Sequence, residues 1–218
     1  MKKYILIFLF IVNYLISFAQ DTSKTEDPEI TYTRVITERA DKIVSALNLS
    51  DSVLYFGIRD IVIEQYRNLR NIYDKRDIKI KILREQANLQ KETRDSLIDA
   101  VKNETIASLY TLHFKFISQL SVLLTPQQID IIKDGMTYNI LPRTYNVYLE
   151  MLPYLTDEHK RFIMACLIEA RENAIDAESS DKKHAIFGKY KGRINNYLSA
   201  AGYDLKKAEK EMLDNKKN

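Results

Sequence analysis

Apolar residues recur along this chain at the three- and four-residue spacing of helices, and nowhere do they alternate for the length of a strand. Ile36, Ala40, Ile43, Val44 and Leu47 open the series. Leu54, Ile58, Ile61, Val62, Gln65, Tyr66 and Leu69 draw a second amphipathic stripe. Residues 74–104 are crowded with Lys, Arg, Asp and Glu and carry sparse apolar positions such as Ile78, Ile82, Leu89, Leu97 and Val101. That stretch predicts a long, largely exposed helix or a helical hairpin arm. Ile106, Leu109, Tyr110, His113, Phe114, Ile117 and Leu120 then restore a broad stripe expected to face the core. Phe162, Ile163, Cys166, Leu167, Ala170 and Ala174 form another apolar face, with Cys166 in its middle as a buried, inert thiol. Glu178-Ser179-Ser180-Asp181 breaks the pattern before a last helical region from His184 to about Lys217, in which Gly188, Gly192 and Gly202 are interruptions. The expected fold is all-α: a single-domain irregular helical bundle with one long charged helix or helical hairpin arm.

Three phrases read as helix starts. In Leu124-Thr125-Pro126-Gln127-Gln128-Ile129 a threonine can cap, a proline suits the first helical position, and Gln128 can reach back to the amide of the cap. Leu124 and Ile129 stand where a hydrophobic staple closes. Leu155-Thr156-Asp157-Glu158-His159 repeats the phrase with acids on the positive end of the helix dipole, and Leu49-Ser50-Asp51-Ser52 is a weaker copy. Their unequal spacing excludes a solenoid period.

Composition agrees with a soluble globular chain, 45% hydrophobic and 29% charged over 218 residues, with only 5 Gly and 4 Pro. One Cys excludes a disulfide framework. The first residues are organised differently. Lys2 and Lys3 precede an almost unbroken apolar run from Tyr4 to Phe18, and Ser17-Phe18-Ala19 places small residues where a signal peptidase reads them. The expectation is a signal peptide over residues 1–19, cleaved near Ala19-Gln20; the run is shorter than a spanning helix usually needs. Residues 20–33 read as a flexible leader, 34–210 as the helical domain and 211–218 as a charged tail. The product is expected to be periplasmic or secreted and not membrane-spanning. The formal net charge of +3 is uneven, with ten Lys or Arg against four Asp or Glu from Lys182 onward. Export sets nucleic acid aside as a partner, which leaves a solvated face or an anionic partner.

Candidate chemistry is sparse. No nucleophile elbow, phosphate-cradling loop, zinc helix or calcium loop is present, and His113, His159 and His184 lie in different expected elements, so neither a metal nor a cofactor is expected. His113, on an apolar face, reads as a satisfied core histidine. Glu169, Glu172 and Asp176 fall at i, i+3 and i+7 and form an acidic ridge. Two carboxylates in one cleft can divide acid and base roles, although salt-bridged helix faces produce the same pattern. The stretch His184–Tyr203 offers a packing seam of Ile186, Tyr190, Ile194 and Leu198. Around it stand His184, Lys189, Tyr190, Arg193, Asn195, Asn196 and Tyr197, whose amides, guanidinium and phenols suit sugar hydroxyls and carboxylates. The absence of Trp weakens a flat sugar-stacking platform, for which Tyr is the substitute.

The phrases ADKIVSALNLSD, KDGMTYNILPRTY, MLPYLTDEHK and HAIFGKYKGRINNYLSAAGYDLKK resemble the exported Bacteroidetes family catalogued as domain of unknown function 3826, over about Arg34 to Lys207. The resemblance implies export and a setting near polysaccharide degradation, and it carries no catalytic residues. Leu124-Thr125-Pro126-Gln127-Gln128 is also similar to the LTxxQ phrase of periplasmic helical chaperones, from which His159 departs in the second copy. Three functions therefore stand. The first is a non-catalytic accessory protein that binds an acidic oligosaccharide or a polysaccharide-degrading enzyme through the 184–203 region. The second is a chaperone-like helical protein. The third is a lyase or hydrolase using Glu169, Glu172 or Asp176 with His184, Lys189, Arg193 or a tyrosine. A pocket joining the acidic ridge to Arg193 would favour the third, and a shallow basic groove the first.

Overall fold

Eight helices and no strand make up the described residues, 27–216, of the computed structural model. The segment expected to be a signal peptide lies outside them. Helix α1 (Pro28–Ser45) starts with proline at its first position, where the missing N–H costs nothing. The last six residues of the stretch read as a leader are therefore helical. From Ile36 onward the chain forms one compact unit.

Helices α2 (Ser52–Glu85) and α3 (Lys91–Ser121) run 34 and 31 residues and pack against each other as a hairpin. This is the charged arm. Its tip is tied by Arg94, whose guanidinium donates to the carbonyls of Gln86 and Leu89 at 3.1 and 2.9 Å. The cap of α2 is Asp51, rather than Ser50, accepting from the amides of Val53 and Leu54. The α3 stripe needs a correction. Ile98, Thr105, Leu112, Phe116 and Leu120 are buried against the bundle, whereas Ile106, Tyr110 and Phe114 are more than half exposed. Apolar residues surround α3 on more than one side, so periodicity alone does not choose the covered face.

Helix α4 (Pro126–Met136) carries the full capping box: the Gln128 amide donates to Thr125 Oγ1, and the Thr125 amide to Gln128 Oε1. Leu124 and Ile129 are buried beside it. Helix α5 (Ile140–Met151) follows after Tyr138 and Asn139, both in the left-handed region. Helix α6 (Asp157–Ile175), capped by Thr156, and α7 (Ser180–Ala200), capped by Ser179, pair closely. Their seam joins Ile163, Leu167, Ala170 and Ala174 to Phe187, Ile194 and Leu198. Phe187 holds the buried seam position, while Ile186 and Tyr190 pack at its edge. Gly188 and Gly192 lie inside α7; Gly202, at φ +92°, ends the region and lets α8 (Leu205–Asn215) begin at the Asp204 cap. Cys166 is buried, and burial raises its thiol pKa. No helix among the described residues is long and apolar enough to cross a membrane.

Candidate functional site

Gln65 and His113 are polar residues set in apolar stripes of α2 and α3, and one carboxylate explains both. Asp176 ends α6 in a non-helical conformation (φ −95°, ψ 2°), which turns its side chain toward the α2–α3 hairpin. Oδ1 accepts from Gln65 Nε2 at 3.0 Å, and Oδ2 lies 2.6 Å from His113 Nδ1, which donates. The Asp176 carbonyl accepts from the Tyr73 hydroxyl at 2.7 Å. Burial then pushes the Tyr73 phenol up to about 12, with Glu178 and Asp176 adding to it. Three helices meet at this residue.

The second nitrogen of His113 stands 3.6 Å from Glu172. With carboxylates on both sides the imidazolium is favoured. The Asp176 hydrogen bond is the largest cause of its raised pKa, burial opposes it, and the charges of Asp176 and Glu172 add to it. Glu172 is itself held by Lys133 at 2.9 Å and faces Arg171 Nε at 3.5 Å. Arg171, nearly enclosed, reaches on to Asp134 at 2.9 Å and Asp130 at 2.5 Å, fastening α6 to α4. The result is a fixed polar floor under a cleft of about 520 Å³ between α2, α3, α6 and the start of α7. The wall is apolar. Ile106, Tyr110 and Phe114 form a ledge on α3, with the two rings edge to face at 4.7 Å, and Ile186 closes the far side. Arg76 marks the rim, paired with Glu178 at 2.6 Å and lying 4.7 Å over the Tyr73 ring. Desolvated hydrogen-bonding groups beneath an exposed aromatic wall are what a site for a ligand with both polar and flat apolar faces requires.

The acidic ridge divides. Glu172 and Asp176 enter this cleft, while Glu169 bonds to the Tyr190 hydroxyl at 2.9 Å and to Arg193 at 3.1 Å. His113 is satisfied, as expected, but on the floor of a cleft. The residues singled out on α7 are spread around the helix. Asn195 accepts from the Tyr148 hydroxyl at 2.6 Å, Tyr197 stacks on Phe162 at 3.8 Å, and His184 donates to the Ser180 carbonyl while stacking on Tyr138. Lys189 and Asn196 are exposed. The part of α7 that lines the cleft is Lys182 and Ile186. The available signal was a polar residue inside an apolar stripe, at Gln65 and again at His113, since buried polar groups need partners.

Residues 33–218 match the family model described as Protein of unknown function (DUF3826). No curated protein matches the chain.

Proposed function

Because the chain belongs to the DUF3826 family, whose description carries no activity, we propose, from the setting that the family resemblance implies together with the site, that this is an exported accessory protein of periplasmic polysaccharide use. It binds an oligosaccharide in the His113 cleft. The export part rests on the Lys2–Ala19 pattern. The binding part rests on one observation: Tyr110 and Phe114 stand in solvent, 66% and 53% exposed, beside a polar floor whose groups are already fixed by the protein. Sugar rings present an apolar face for such a ledge and hydroxyls for such a floor.

The test is a thermal-shift and calorimetric screen against uronic-acid-containing and rhamnose-containing oligosaccharides. Ligand at a hundred times its Kd adds about 2.7 kcal/mol to the stability of the native state. Tyr110→Ala and Phe114→Ala remove exposed rings, so they should abolish the shift and leave the ligand-free midpoint in place. If no glycan moves the wild type, or if the variants bind as well as it does, the reading fails. Suppression of client aggregation by the same ledge would then put the chaperone reading in its place.

A second reading is favoured by the His113–Asp176 hydrogen bond. An imidazolium oriented by a buried carboxylate can give its Nε2 proton to a leaving group, the role of a general acid in a lyase or hydrolase. Glu172, on the other side of the ring, is engaged by Lys133 at 2.9 Å and faces Arg171 at 3.5 Å. Product analysis decides: turnover lost in His113→Gln with binding retained supports catalysis, and wild-type binding without any product excludes it for that glycan.

A further inference from the structure

On another side of the Ile36–Asn218 unit a smaller cleft, about 330 Å³, lies between α1, α2, α4 and the start of α5. Arg39 and Lys42, three residues apart on α1, line it together with Arg143 of α5, and no Asp or Glu is among the residues lining it. Asp134, one residue from this wall, spends its carboxylate on Arg171. Neither Arg39 nor Lys42 has an acidic partner among the described residues. Arg39 also acts on the buried ammonium of Lys183 as a like charge. Three basic side chains thus line one cleft with no acidic one among its described lining, and that arrangement is relieved when an anion enters.

The cleft is built. Gly135 forms part of its wall because a Cβ there would meet Ile43 at 3.0 Å, so glycine is what lets α4 lie against α1. Tyr138 and Asn139 are consecutive non-glycine residues at φ 59° and 54°, a strained pair. That turn presents two carbonyls to Arg143, whose Nε donates to Asn139 and whose Nη2 donates to Tyr138. The guanidinium is thus oriented, and its Nη1 makes no hydrogen bond among the described residues. The Tyr138 ring also lines the cleft and stacks on His184 at 5.6 Å.

We propose that this cleft is a binding site for a single small oxyanion group, a carboxylate, sulfate or phosphate, held between Arg39, Lys42 and Arg143. A planar guanidinium with free donors suits the paired oxygens of such groups. The site stands apart from the His113 cleft and does not depend on a glycan binding there.

The experiment is calorimetric titration of the full protein at constant ionic strength with five probes: inorganic sulfate, inorganic phosphate, galacturonic acid, a sugar sulfate and neutral galactose. At least one anionic probe should bind saturably at one site, and galactose should not. In the Arg39→Gln/Lys42→Gln variant, whose changed side chains are exposed, the affinity should fall at least tenfold with the ligand-free midpoint unchanged. Arg39→Lys should retain part of it. Wild-type affinity should also weaken several-fold between about 50 and about 300 mM NaCl, a measurement that needs no variant. Binding of free sulfate or phosphate alone assigns the site to the inorganic ion. Binding of the sugar acids assigns it to the acidic substituent of a larger ligand. The proposal is overturned if no anionic probe saturates, if galactose binds equally, or if the double variant titrates like the wild type. Sulfate also stabilises proteins by exclusion from their surfaces, so a rise in midpoint shared by both proteins counts against the site. Tyr110→Ala should leave this titration untouched, which separates it from the glycan screen.

Discussion

Replacing Asp176 by Asn keeps the shape of the side chain and removes its charge. Gln65 can turn its amide and accept from the new Nδ2, so that contact, 3.0 Å in the native protein, survives with its sense reversed. The His113 contact at 2.6 Å cannot be repaired in the same way, because an amide oxygen accepts without a full charge. Hydrogen bonds to charged groups contribute about 1.5–3 kcal/mol and neutral ones about 0.5–1.5, so roughly 1–1.5 kcal/mol is lost from this change alone. For a domain of this size that lowers the midpoint by about 2–6 °C. The pH dependence carries the sharper test. The pKa of His113 in the folded protein is raised above its ordinary 6.5. Its stabilisation is therefore fully present below about 6.5 and is lost as the pH climbs through the raised value. Glu172, Lys133 and Lys183 share the neighbourhood, so the clean observable is the coupling between positions 113 and 176. It is measured with Asp176→Asn, His113→Gln and the double variant by denaturant unfolding at about pH 5.5 and about pH 8.5. The coupling should be larger at the lower pH and shrink at the higher. An equal coupling at both would refute the charged His113–Asp176 pair and leave Asp176 as a hydrogen-bond acceptor whose contribution does not depend on the charge of the imidazole.

Lys183 is buried with its ammonium on the Ile175 carbonyl at 2.7 Å, and burial pulls its pKa down to about 8. Between that value and 10.5 the unfolded chain binds a proton that the native chain does not, so stability should rise there; in chemical unfolding the wild type should gain roughly 1–2 kcal/mol on Lys183→Met from about pH 8 to 9.5. Arg171→Ala leaves Asp134 and Asp130 without their enclosed partner and should cost about 3–5 kcal/mol, whereas Arg193→Ala, from an exposed pair with Glu169, should cost under about 1. Gly135→Ala forces a Cβ against Ile43 and should destabilise by about 1–2 kcal/mol, while Gly188→Ala, which meets nothing within 4 Å, should stabilise by about 0.5–1 kcal/mol. Cys166 should resist alkylation in the native protein and react at the rate of unfolding, because it is buried and its pKa is raised.

Much of the helical order was legible. The Thr125 and Thr156 starts, the charged hairpin arm and the Cys166 face all depend on residues within a few positions of one another, where capping and amphipathic spacing act. The candidate site was legible only in fragments. Glu172 and Asp176 stood out as acids on one helix, and His113 as a polar residue on an apolar face. Nothing in their spacing joins them, since the His113–Asp176 bond spans 63 residues. The three acids at i, i+3 and i+7 do not act as one ridge: Glu172 and Asp176 enter the cleft, whereas Glu169 is drawn to Tyr190 and Arg193 of α7, a pairing decided by packing and not by spacing.

Where helices begin, how long an amphipathic stripe runs and that Cys166 sits on an apolar face are settled along the chain, because short-range sterics, capping hydrogen bonds and hydrophobic patterning decide them. Which stripe is covered was decided by packing. Helix α3 is apolar on both the Phe116 side and the Tyr110–Phe114 side, and the neighbouring helices had one of them to cover. The partners of the buried charges were decided there too. Arg171 and Asp176 are costly to desolvate alone, and only the meeting of helices distant in sequence supplies the carboxylates and imidazole that make their burial tolerable, whereas Lys183 takes the carbonyl of Ile175 across the adjoining turn.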